Sequence, residues 1–352
     1  MTGRTFEDEM RRAAALGASA LGTTSPNPPV GALVLDADGQ VVGEGATRPP
    51  GGAHAEVVAL EQAAGRGRTA VVTLEPCDHH GRTGPCSEAL LAAGIERVVI
   101  ACPEPTANAA GGADRLRAAG VEVLSGVLED EVAAGALHGW LHRQRTGRPH
   151  VTWKYAATLD GRSAASDGTS RWITGEAARA DVHRLRAESD AVVVGVGTVL
   201  ADDPALTARP DPGHQPLRVV VDRHGRTPAT AQVLDDAAPT LVVTHGQSYG
   251  DDRTLVLAPG RDGRVDLDAL LGALAERGVV NVMLEGGPRL AGAFVAAGLV
   301  DRVVGYVAPA LLGAGPAALQ DAGATTIGQA VRFTLADVTV LGEDVRITLE
   351  RG

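Results

Sequence analysis

Apolar and polar residues follow two kinds of pattern along this chain, and the two patterns alternate over its whole length. Residues 6–20 and 54–64 place apolar side chains along one side of a helix, with Val57, Leu60 and Ala64 sharing that face in the second stretch. Short continuous apolar runs, such as 69–74 and 191–194, predict buried strands instead. Because strands and helices alternate, the chain is predicted to be an α/β protein with helices on both faces of its sheets.

The same two patterns predict the remaining strands and helices. In the first half they predict strands over 31–35, 40–45, 69–74, 96–102 and 121–124 and helices over 6–20, 54–64, 87–93, 113–119 and 129–145. In the second half they predict strands over 151–156, 191–194, 217–222, 240–244 and 281–284, helices over 176–188, 265–278 and 288–297, and a closing hairpin of 331–341 and 345–349. The 352 residues suffice for two domains, and the Arg-Thr-Gly-Arg-Pro-His run at 145–150 predicts the boundary, giving domains 1–147 and 148–352.

Two stretches in the first half carry metal-ligand chemistry. His54-Ala55-Glu56 begins one helix, Cys77 follows a strand, and Cys86 begins another helix nine residues later. A hydrolytic zinc takes three protein ligands through nitrogen or sulfur, leaves the fourth position to water and lowers the pKa of that water. The sequence therefore predicts a catalytic zinc held by His54, Cys77 and Cys86. A helix start favours the thiolate form, so we expect Cys86 to be ionised.

Glu56 is the candidate acid/base of this site. It lies two residues after His54, too close to be a comfortable fourth ligand but well placed to move protons. A His-x-Glu followed by two cysteines is the pattern of zinc nucleobase deaminases, in which the Glu is not a ligand. A lone His-x-Glu is often chance and scarce cysteines are often inert, so a structural zinc or no metal is the alternative. The flanking strand and helix starts favour the catalytic site.

Charge and cysteine content narrow the classes of function. A net charge of −11 predicts no nucleic-acid partner, because neutralising phosphates requires a basic footprint, and it disfavours a deaminase acting on tRNA. We find no signal-peptide-like early stretch and no apolar run of membrane-spanning length, so we expect no membrane partner. Three cysteines predict a reducing, cytoplasmic location, with Cys102 as a small buried residue.

The second half holds one residue that stands out by type. Lys154 is the single lysine among 32 basic residues, and the rest are arginine. Either a general bias toward arginine spared this one lysine by chance, or its site needs a compact ammonium group. Glycines follow two predicted strands at Gly195-Val196-Gly197 and Gly286-Gly287, where a helix N-terminus could hold phosphate. Each junction alone is more often an ordinary turn. Together, beside the lysine, they make a nucleotide cofactor plausible, although the Rossmann signature is absent.

These motifs resemble one known family across nearly the whole chain, the bifunctional riboflavin-biosynthesis deaminase/reductases. The matching stretches are Pro26-Asn27-Pro28-Pro29-Val30-Gly31, His54-Ala55-Glu56-Val57, Thr73-Leu74-Glu75-Pro76-Cys77 through Cys86, Lys154, Leu159-Asp160-Gly161-Arg162, Trp172-Ile173-Thr174, the run 199–209, and Glu285-Gly286-Gly287-Pro288. The spacing of nine between the cysteines is that family's own. The resemblance implies a cytidine-deaminase-like three-layer α/β/α domain followed by a dihydrofolate-reductase-like α/β domain.

The resemblance also implies a pathway step and its residues. The substrate would be 2,5-diamino-6-ribosylamino-4(3H)-pyrimidinone 5′-phosphate, deaminated with zinc and Glu56 and then reduced by NADPH to the ribityl compound. Lys154 and Glu285 would be the catalytic residues of the reduction. The implied substrate-binding positions are Asn27, Ser170, Arg186, Leu206, Arg209 and Glu285, and the implied cofactor-binding positions are Ala156, Trp172, Thr198, Asp202, Arg223 and Gly287. The family further implies a homodimer through the reductase domain.

Two departures from the family pattern fall in the first domain. The usual Asp-Pro-Asn-Pro is Glu104-Pro105-Thr106-Ala107 here, and the usual Ser after the first zinc cysteine is Asp78. Both would lie where the deaminase meets its ribose phosphate, so we expect a working deaminase with a raised KM. Two other readings stay open: a deaminase acting alone beside a non-catalytic nucleotide-binding domain, and a regulatory protein with a structural zinc.

Overall fold

The computed structural model describes residues 5–80, 84–250 and 252–352. The chain divides into two compact units, the first ending at Arg148 and the second beginning at Pro149. Among the described residues, no helix is long and apolar enough to cross a membrane.

The first unit is a five-stranded mixed sheet with its helices packed around it. Its elements are α1 (Glu7–Ala18), β1 (Gly31–Leu35), β2 (Val41–Ala46), α2 (Ala55–Ala63), β3 (Thr69–Leu74), α3 (Cys86–Ala92), β4 (Arg97–Cys102), α4 (Gly112–Ala118), β5 (Glu122–Ser125), α5 (Glu129–Ala134) and α6 (His138–Thr146). The strand order is β2-β1-β3-β4-β5. Strands β3, β4 and β5 run parallel, so the loops that follow β3 and β4 leave the same edge of the sheet.

Burial explains why these strands form. Every residue of β1 and β3 is buried, which matches their continuous apolar sequences. Helix α1 approaches β1 so closely that a Cβ added at Gly31 would lie 1.8 Å from the carbonyl oxygen of Ala13. Glycine is therefore required there by the packing of the helix on the strand.

The predicted helix over 129–145 is wrong in one respect, because it is two helices. Helix α5 ends at Ala134 and α6 begins at His138. Gly135, the residue after α5, has φ −83° and ψ −135°, far from helical values. Glycine is a poor interior helix residue, and the prediction gave too little weight to its position in the middle of this run.

The second unit is built on a nine-stranded sheet. Its elements are β6 (His150–Thr158), α7 (Glu176–Ala187), β7 (Ala191–Gly195), α8 (Val196–Asp202), β8 (Leu217–Val221), β9 (Thr240–Thr244), β10 (Thr254–Val256), α9 (Leu267–Glu276), β11 (Asn281–Leu284), α10 (Pro288–Ala296), β12 (Arg302–Ala308), β13 (Thr334–Leu341) and β14 (Asp344–Glu350), with 3₁₀ turns at Gln232–Leu234 and Ile327–Gln329. The strand order is β10-β9-β8-β7-β11-β6-β12-β14-β13. The seven strands from β10 to β12 are parallel. Strand β14 pairs antiparallel with β12 on one side and with β13 on the other.

Side chains of the central strands alternate between two apolar cores. On β7, Ala191 and Val193 face the core that also holds Phe294 of α10, whereas Val192 and Val194 face the core that holds Val182 of α7. Helices thus cover both faces of this sheet, as the unbroken valine run predicted. The sequence prediction missed β12, which pairs with both β6 and β14, and it also missed β10.

The chain order around the sheet creates a crevice. Strands β7 to β10 proceed outward to one edge, and β11 then returns to lie between β7 and β6. Ligands of open α/β sheets bind outside the carboxyl ends of the strands at such a reversal. The loops after β6, β7, β8 and β11 are therefore the expected walls of a binding site.

Candidate functional sites

The three predicted zinc ligands lie together in the first unit. His54 is the residue before α2, Cys77 follows β3, and Cys86 is the first residue of α3. Nδ1 of His54 is 3.2 Å from Sγ of Cys86 and 3.6 Å from Sγ of Cys77, and the three ligand atoms lie within 4.8 Å of one another. Ligands of a tetrahedral zinc are about 3.5 Å apart, given bond lengths of about 2.0–2.3 Å. The donor set and its spacing fit zinc.

Cys77, and not Cys86, carries the lowered thiol pKa. Hydrogen bonding with Cys86, assisted by His54, lowers the pKa of Cys77 to about 4. The backbone N–H of Cys86 donates to Sγ of Cys77 at 3.4 Å. The pKa of the buried Cys86 thiol is raised, first by its hydrogen bond to Cys77. Without metal, the amide at the start of α3 thus stabilises charge on the sulfur of Cys77, whereas a zinc bound by both cysteines would hold both as thiolates.

Glu56 lies beside the ligands in the first turn of α2. It is 5% exposed, and burial raises the pKa of its carboxyl group. A carboxyl group whose protonated form is favoured in this way can give and accept a proton closer to neutral pH. The geometry brings Glu56 together with His54, Cys77 and Cys86, as the sequence predicted.

His54, Glu56 and Cys77 line a cavity of about 240 Å³, and Cys86 lies next to it beside Cys77 and His54. Asn27, Glu104 and Thr106 line it with His54, Glu56 and Cys77. Asn27 lies between Pro26 and Pro28, and its backbone N–H donates to Thr24 O at 2.8 Å, so the loop that carries its side chain is constrained. The family-implied substrate residue of this unit is thus in the same cavity as the candidate zinc ligands.

Asp78 is bonded to residues of α3 and α4. Its Oδ1 accepts hydrogen bonds from Ser87 Oγ at 2.5 Å and from Arg115 at 3.0 Å, and the bond from Ser87 lowers its pKa. Asp78 is not among the described residues that line the cavity. Arg115 compensates its charge, which argues against repulsion of a substrate phosphate, and the position of Asp78 relative to that phosphate stays a prediction. Gly81, Arg82 and Thr83, in the inserted loop between the cysteines, lie outside the described residues.

The second unit contains a larger cavity, of about 1200 Å³, at the carboxyl ends of its parallel strands. Five of the family-implied positions line it, namely Ser170, Thr198, Asp202, Arg223 and Gly287. Gly195 and Gly287 precede α8 and α10, with Pro288 at the first helical position, as the glycine junctions predicted. A Cβ added at Gly287 would lie 3.5 Å from Oγ1 of Thr198, so the two helix starts are adjacent.

The walls of this cavity suit a phosphorylated dinucleotide. Backbone N–H groups at helix starts favour phosphate. The guanidinium groups of Arg223, Arg226, Arg261 and Arg264 could pair with phosphate oxygens, while five aspartates in the same lining balance the charge of its arginines. Arg223 is held by a 2.9 Å hydrogen bond to Gly263 O. Ala156 and Trp172 do not line the cavity among the described residues: Ala156 packs against an apolar core, and Trp172 is 69% exposed under the guanidinium of Arg179. Their cofactor roles stay predictions.

Lys154, Arg186 and Glu285 form a buried ionic triad. Lys154 lies on β6 and Glu285 follows the neighbouring strand β11, so the register of the two strands brings them together. Nζ of Lys154 is 3.6 Å from Oε2 of Glu285, and Arg186 donates to both carboxylate oxygens at 2.5 and 2.9 Å. Burial alone would raise the pKa of Glu285, but Arg186 and Lys154 lower it to about 2. Burial lowers the pKa of Lys154.

Two of the remaining family-implied residues lie on the segment that Arg186 also contacts. These two residues are Leu206, which is buried and has φ +54°, and Arg209, which is exposed. Arg186 donates to the carbonyl oxygen of Thr207, which lies between them in the chain, at 3.1 Å. The sequence analysis missed His183, whose Nδ1 is 3.2 Å from the same carbonyl oxygen. Burial and the charges of Arg186 and Arg209 lower its pKa. Its position three residues before Arg186 on α7 was an available signal, since such residues share a helix face.

Comparisons with known proteins agree with this division. Residues 149–347 match the family model described as RibD C-terminal domain, and residues 4–102 match the cytidine and deoxycytidylate deaminase zinc-binding region. Curated relatives called riboflavin biosynthesis protein RibD include those of Mycobacterium tuberculosis, 50% identical over 93% of this chain and 92% of that protein, and of Escherichia coli, 39% identical over 98% and 99%.

Two solved structures match both units. Acinetobacter baumannii RibD has a TM-score of 0.88 at 40% identity, and a diaminohydroxyphosphoribosylaminopyrimidine deaminase/5-amino-6-(5-phosphoribosylamino)uracil reductase from Thermotoga maritima has a TM-score of 0.91 at 34% identity. Each comparison covers 99% of this chain and 99% of the other. The chain therefore belongs to the RibD family of bifunctional riboflavin-biosynthesis enzymes, which join a zinc-dependent deaminase to an NADPH-dependent reductase.

Proposed function

We propose that the first cavity deaminates 2,5-diamino-6-ribosylamino-4(3H)-pyrimidinone 5′-phosphate. The observation that carries this proposal is the buried Glu56 in one cavity wall with two zinc ligands, His54 and Cys77, while the third ligand, Cys86, lies beside both. His54, Cys77 and Cys86 would hold the zinc, which would supply a hydroxide nucleophile near neutral pH. The carbon that bears the 2-amino group gains the oxygen of water and loses ammonia.

Glu56 moves the protons of this reaction. Its carboxylate accepts a proton from the attacking water and returns it to the departing amine, so that neither an amide anion nor a free proton has to be released. Burial serves this role, because it raises the pKa of the carboxyl group toward the working pH. Asn27, which lines the same cavity, would hold the pyrimidine or its ribose by its amide.

The second unit then reduces the ribosyl group to ribityl. The larger cavity would hold NADPH, which would supply a hydride to C1′, while the ring oxygen of the ribose leaves C1′ and takes up a proton. Lys154 offers an ammonium donor to the ribose oxygens, while Glu285, ionised by Arg186 and Lys154, keeps that ammonium oriented. Ser170, Leu206 and Arg209 would hold the substrate.

The direct test is mass spectrometry of the products formed from the diaminopyrimidine phosphate, with and without NADPH. We expect the deaminated ribosylamino compound and ammonia without NADPH, and the ribitylamino compound with it. Deamination with no consumption of NADPH would support a deaminase acting alone. Absence of ammonia from the zinc-loaded protein would leave only a binding role.

We propose that the two units are separate domains, 1–147 for the zinc domain and 148–352 for the reductase, in the cytoplasm. The free cysteines Cys77, Cys86 and Cys102 support a reducing compartment. A fragment for testing the reductase alone is best started at Pro149, because β6 already begins at His150. It should reduce the deaminated compound with NADPH and contain no zinc.

We further propose a homodimer through the reductase domain. Leu335, Val338 and Val340 are exposed on the edge strand β13, and the register shift after Leu335 makes Ala336 a bulge. A bulge inserts one residue, so these three side chains point to one face and form an apolar strip. Val340→Asp should yield monomers in light scattering after gel filtration. Val256→Asp, on the opposite edge strand β10, is the matched control and should remain dimeric; wild-type monomers would refute the proposal.

A further inference from the structure

One carboxylate, that of Glu75, lies where the zinc-ligand segment meets the loop that follows β4. The backbone N–H of Glu75 donates to Cys102 O at 2.9 Å, which continues the pairing of β3 with β4. Its Oε1 accepts hydrogen bonds from Gly111 N at 3.2 Å and Ala113 N at 3.1 Å, and its Oε2 accepts one from Glu104 N at 3.2 Å. Three backbone donors from both ends of the loop 103–113 therefore converge on one side chain.

The same loop is joined to the zinc-ligand segment at two further points. Asp78 N donates to Ala109 O at 2.9 Å. A Cβ added at Gly112 would lie 1.8 Å from Pro76 O, so the loop backbone rests directly on the residue before Cys77. The position of the loop relative to the zinc ligand is thus set by residues 75–78.

Two side chains of this loop face the deaminase cavity. Glu104 and Thr106 line it, and Glu104 Oε1 accepts hydrogen bonds from both Thr106 N at 2.9 Å and Thr106 Oγ1 at 2.5 Å. The two residues therefore move as one group. The bond from Glu104 N to Glu75 attaches that group to the segment that carries Cys77.

We infer that Glu75 is a positioning residue for deamination, which places Glu104 and Thr106 against the substrate at a fixed distance from Cys77. Glu75 also lines the cavity, but both of its carboxylate oxygens accept from amides of the loop, so it acts through the loop on substrate binding, and not on zinc affinity or on proton transfer. The inference rests on the deaminase function proposed for this cavity. A carboxylate is suited to the task, because both of its oxygens only accept, and all three of its partners are N–H donors.

The test is Glu75→Gln in the full-length, zinc-loaded protein. The glutamine keeps one accepting oxygen but presents an NH₂ group, so it cannot satisfy the donors at both ends of the loop. Losing one charged hydrogen bond should raise the KM for deamination about tenfold or more, while kcat stays within about twofold because the chemical step is untouched. The zinc content should remain one per chain, and reduction of the deaminated compound should be unchanged.

Glu122→Gln is the matched control. Glu122 lies on β5, is half exposed and pairs with Arg97 outside the cavity, so this variant should have the wild-type KM. Hydrogen exchange followed by mass spectrometry gives a second readout. Amides of 103–113 should exchange faster in Glu75→Gln than in Glu122→Gln, whereas those of α3 should not change.

Several results would overturn the inference. An unchanged KM, or equal exchange of the loop in both variants, would show that Glu75 does not position it. Loss of zinc, or a fall in kcat at constant KM, would assign Glu75 to the metal or the chemistry instead. Absence of deamination in the wild-type protein is a different outcome, because it would refute the proposed function and leave the exchange result to decide the role of Glu75.

Discussion

Each unit buries a glutamate at its candidate active site, and the surroundings shift the two pKa values in opposite directions. Glu56 has no arginine or lysine among the causes of its shift, and burial raises its pKa. Glu285 is equally buried but lies between Arg186 and Lys154, which lower its pKa to about 2. One residue type thus meets two requirements: a group that exchanges protons, and a fixed negative charge.

The difference teaches that burial alone does not indicate the role of a carboxylate. Desolvation disfavours the charged form, but a hydrogen-bonded arginine and a lysine 3.6 Å away outweigh it at Glu285. The identity of the neighbours therefore separates an acid/base from an electrostatic anchor. The predictions below test this contrast, beginning with the largest expected effect.

Removing a zinc ligand should abolish one activity and spare the other. In Cys86→Ser the three-ligand site loses a thiolate, so zinc should be absent by elemental analysis and deamination undetectable. Reduction of the deaminated compound should proceed at the wild-type rate. Retention of stoichiometric zinc would show that Cys86 is not a ligand.

Glu56→Gln should keep the zinc but slow deamination. Loss of a general acid/base lowers the rate by about 10²–10⁴-fold, because the glutamine can neither accept nor return a proton. The measurement is kcat for ammonia release beside the zinc content of the same sample. Zinc lost from this variant would make Glu56 a ligand and would contradict the mechanism.

Lys154→Arg should impair reduction although the charge is retained. A forked guanidinium cannot reproduce the geometry of an ammonium, and losing one charged hydrogen bond corresponds to about 10–100-fold in rate. NADPH oxidation with the deaminated compound gives the rate, and deamination in the same protein is the internal control. A wild-type rate would mean that the single lysine reflects composition alone.

Glu285→Gln should destabilise the second unit in a pH-dependent way. The folded state lowers the pKa of Glu285 to about 2, so ionised Glu285 contributes stability that is present above its unfolded pKa and lost as pH falls toward 2. The difference in melting temperature from wild type should therefore be larger at about pH 6 than at about pH 3. Glu176→Gln, an exposed change in the first turn of α7, should show neither effect; a constant difference would contradict the assigned pKa.

The smallest effect is expected in the loop that departs from the family. Thr106 lines the cavity, so Thr106→Asn, which restores an amide, should lower the KM for deamination severalfold. Asp78 is paired with Ser87 and Arg115 outside the described cavity wall, so Asp78→Ser should leave KM unchanged at low salt. An unchanged KM in Thr106→Asn together with a changed KM in Asp78→Ser would mean that the loop does not contact the substrate.

The sequence predicted the zinc site because its ligands begin or follow single elements. His54 precedes a helix, Cys77 follows an apolar strand and Cys86 begins a helix, so local patterns alone placed all three correctly. Local patterns did not predict the contacts within the ionic triad of Lys154, Arg186 and Glu285. Its residue types came from the family resemblance, but the contact of Lys154 with Glu285 depends on the register of β6 against β11, which lie far apart in the chain.

The failures share one physical cause, which is tertiary context. The valines of β12 form a short run interrupted by Gly305, and only its pairing with β6 and β14 makes it a strand. The charge of Asp78 was judged without its partner Arg115, which approaches from α4.

The described walls of each cavity come from one unit alone, the smaller from residues before 149 and the larger from residues after it. This has a genetic consequence. Two damaged copies of the gene, one encoding Glu56→Gln and the other Lys154→Arg, each still encode one complete site. Expressed together in a cell that cannot make riboflavin, they should restore growth that neither supports alone, because the released intermediate can pass from one defective protein to the other.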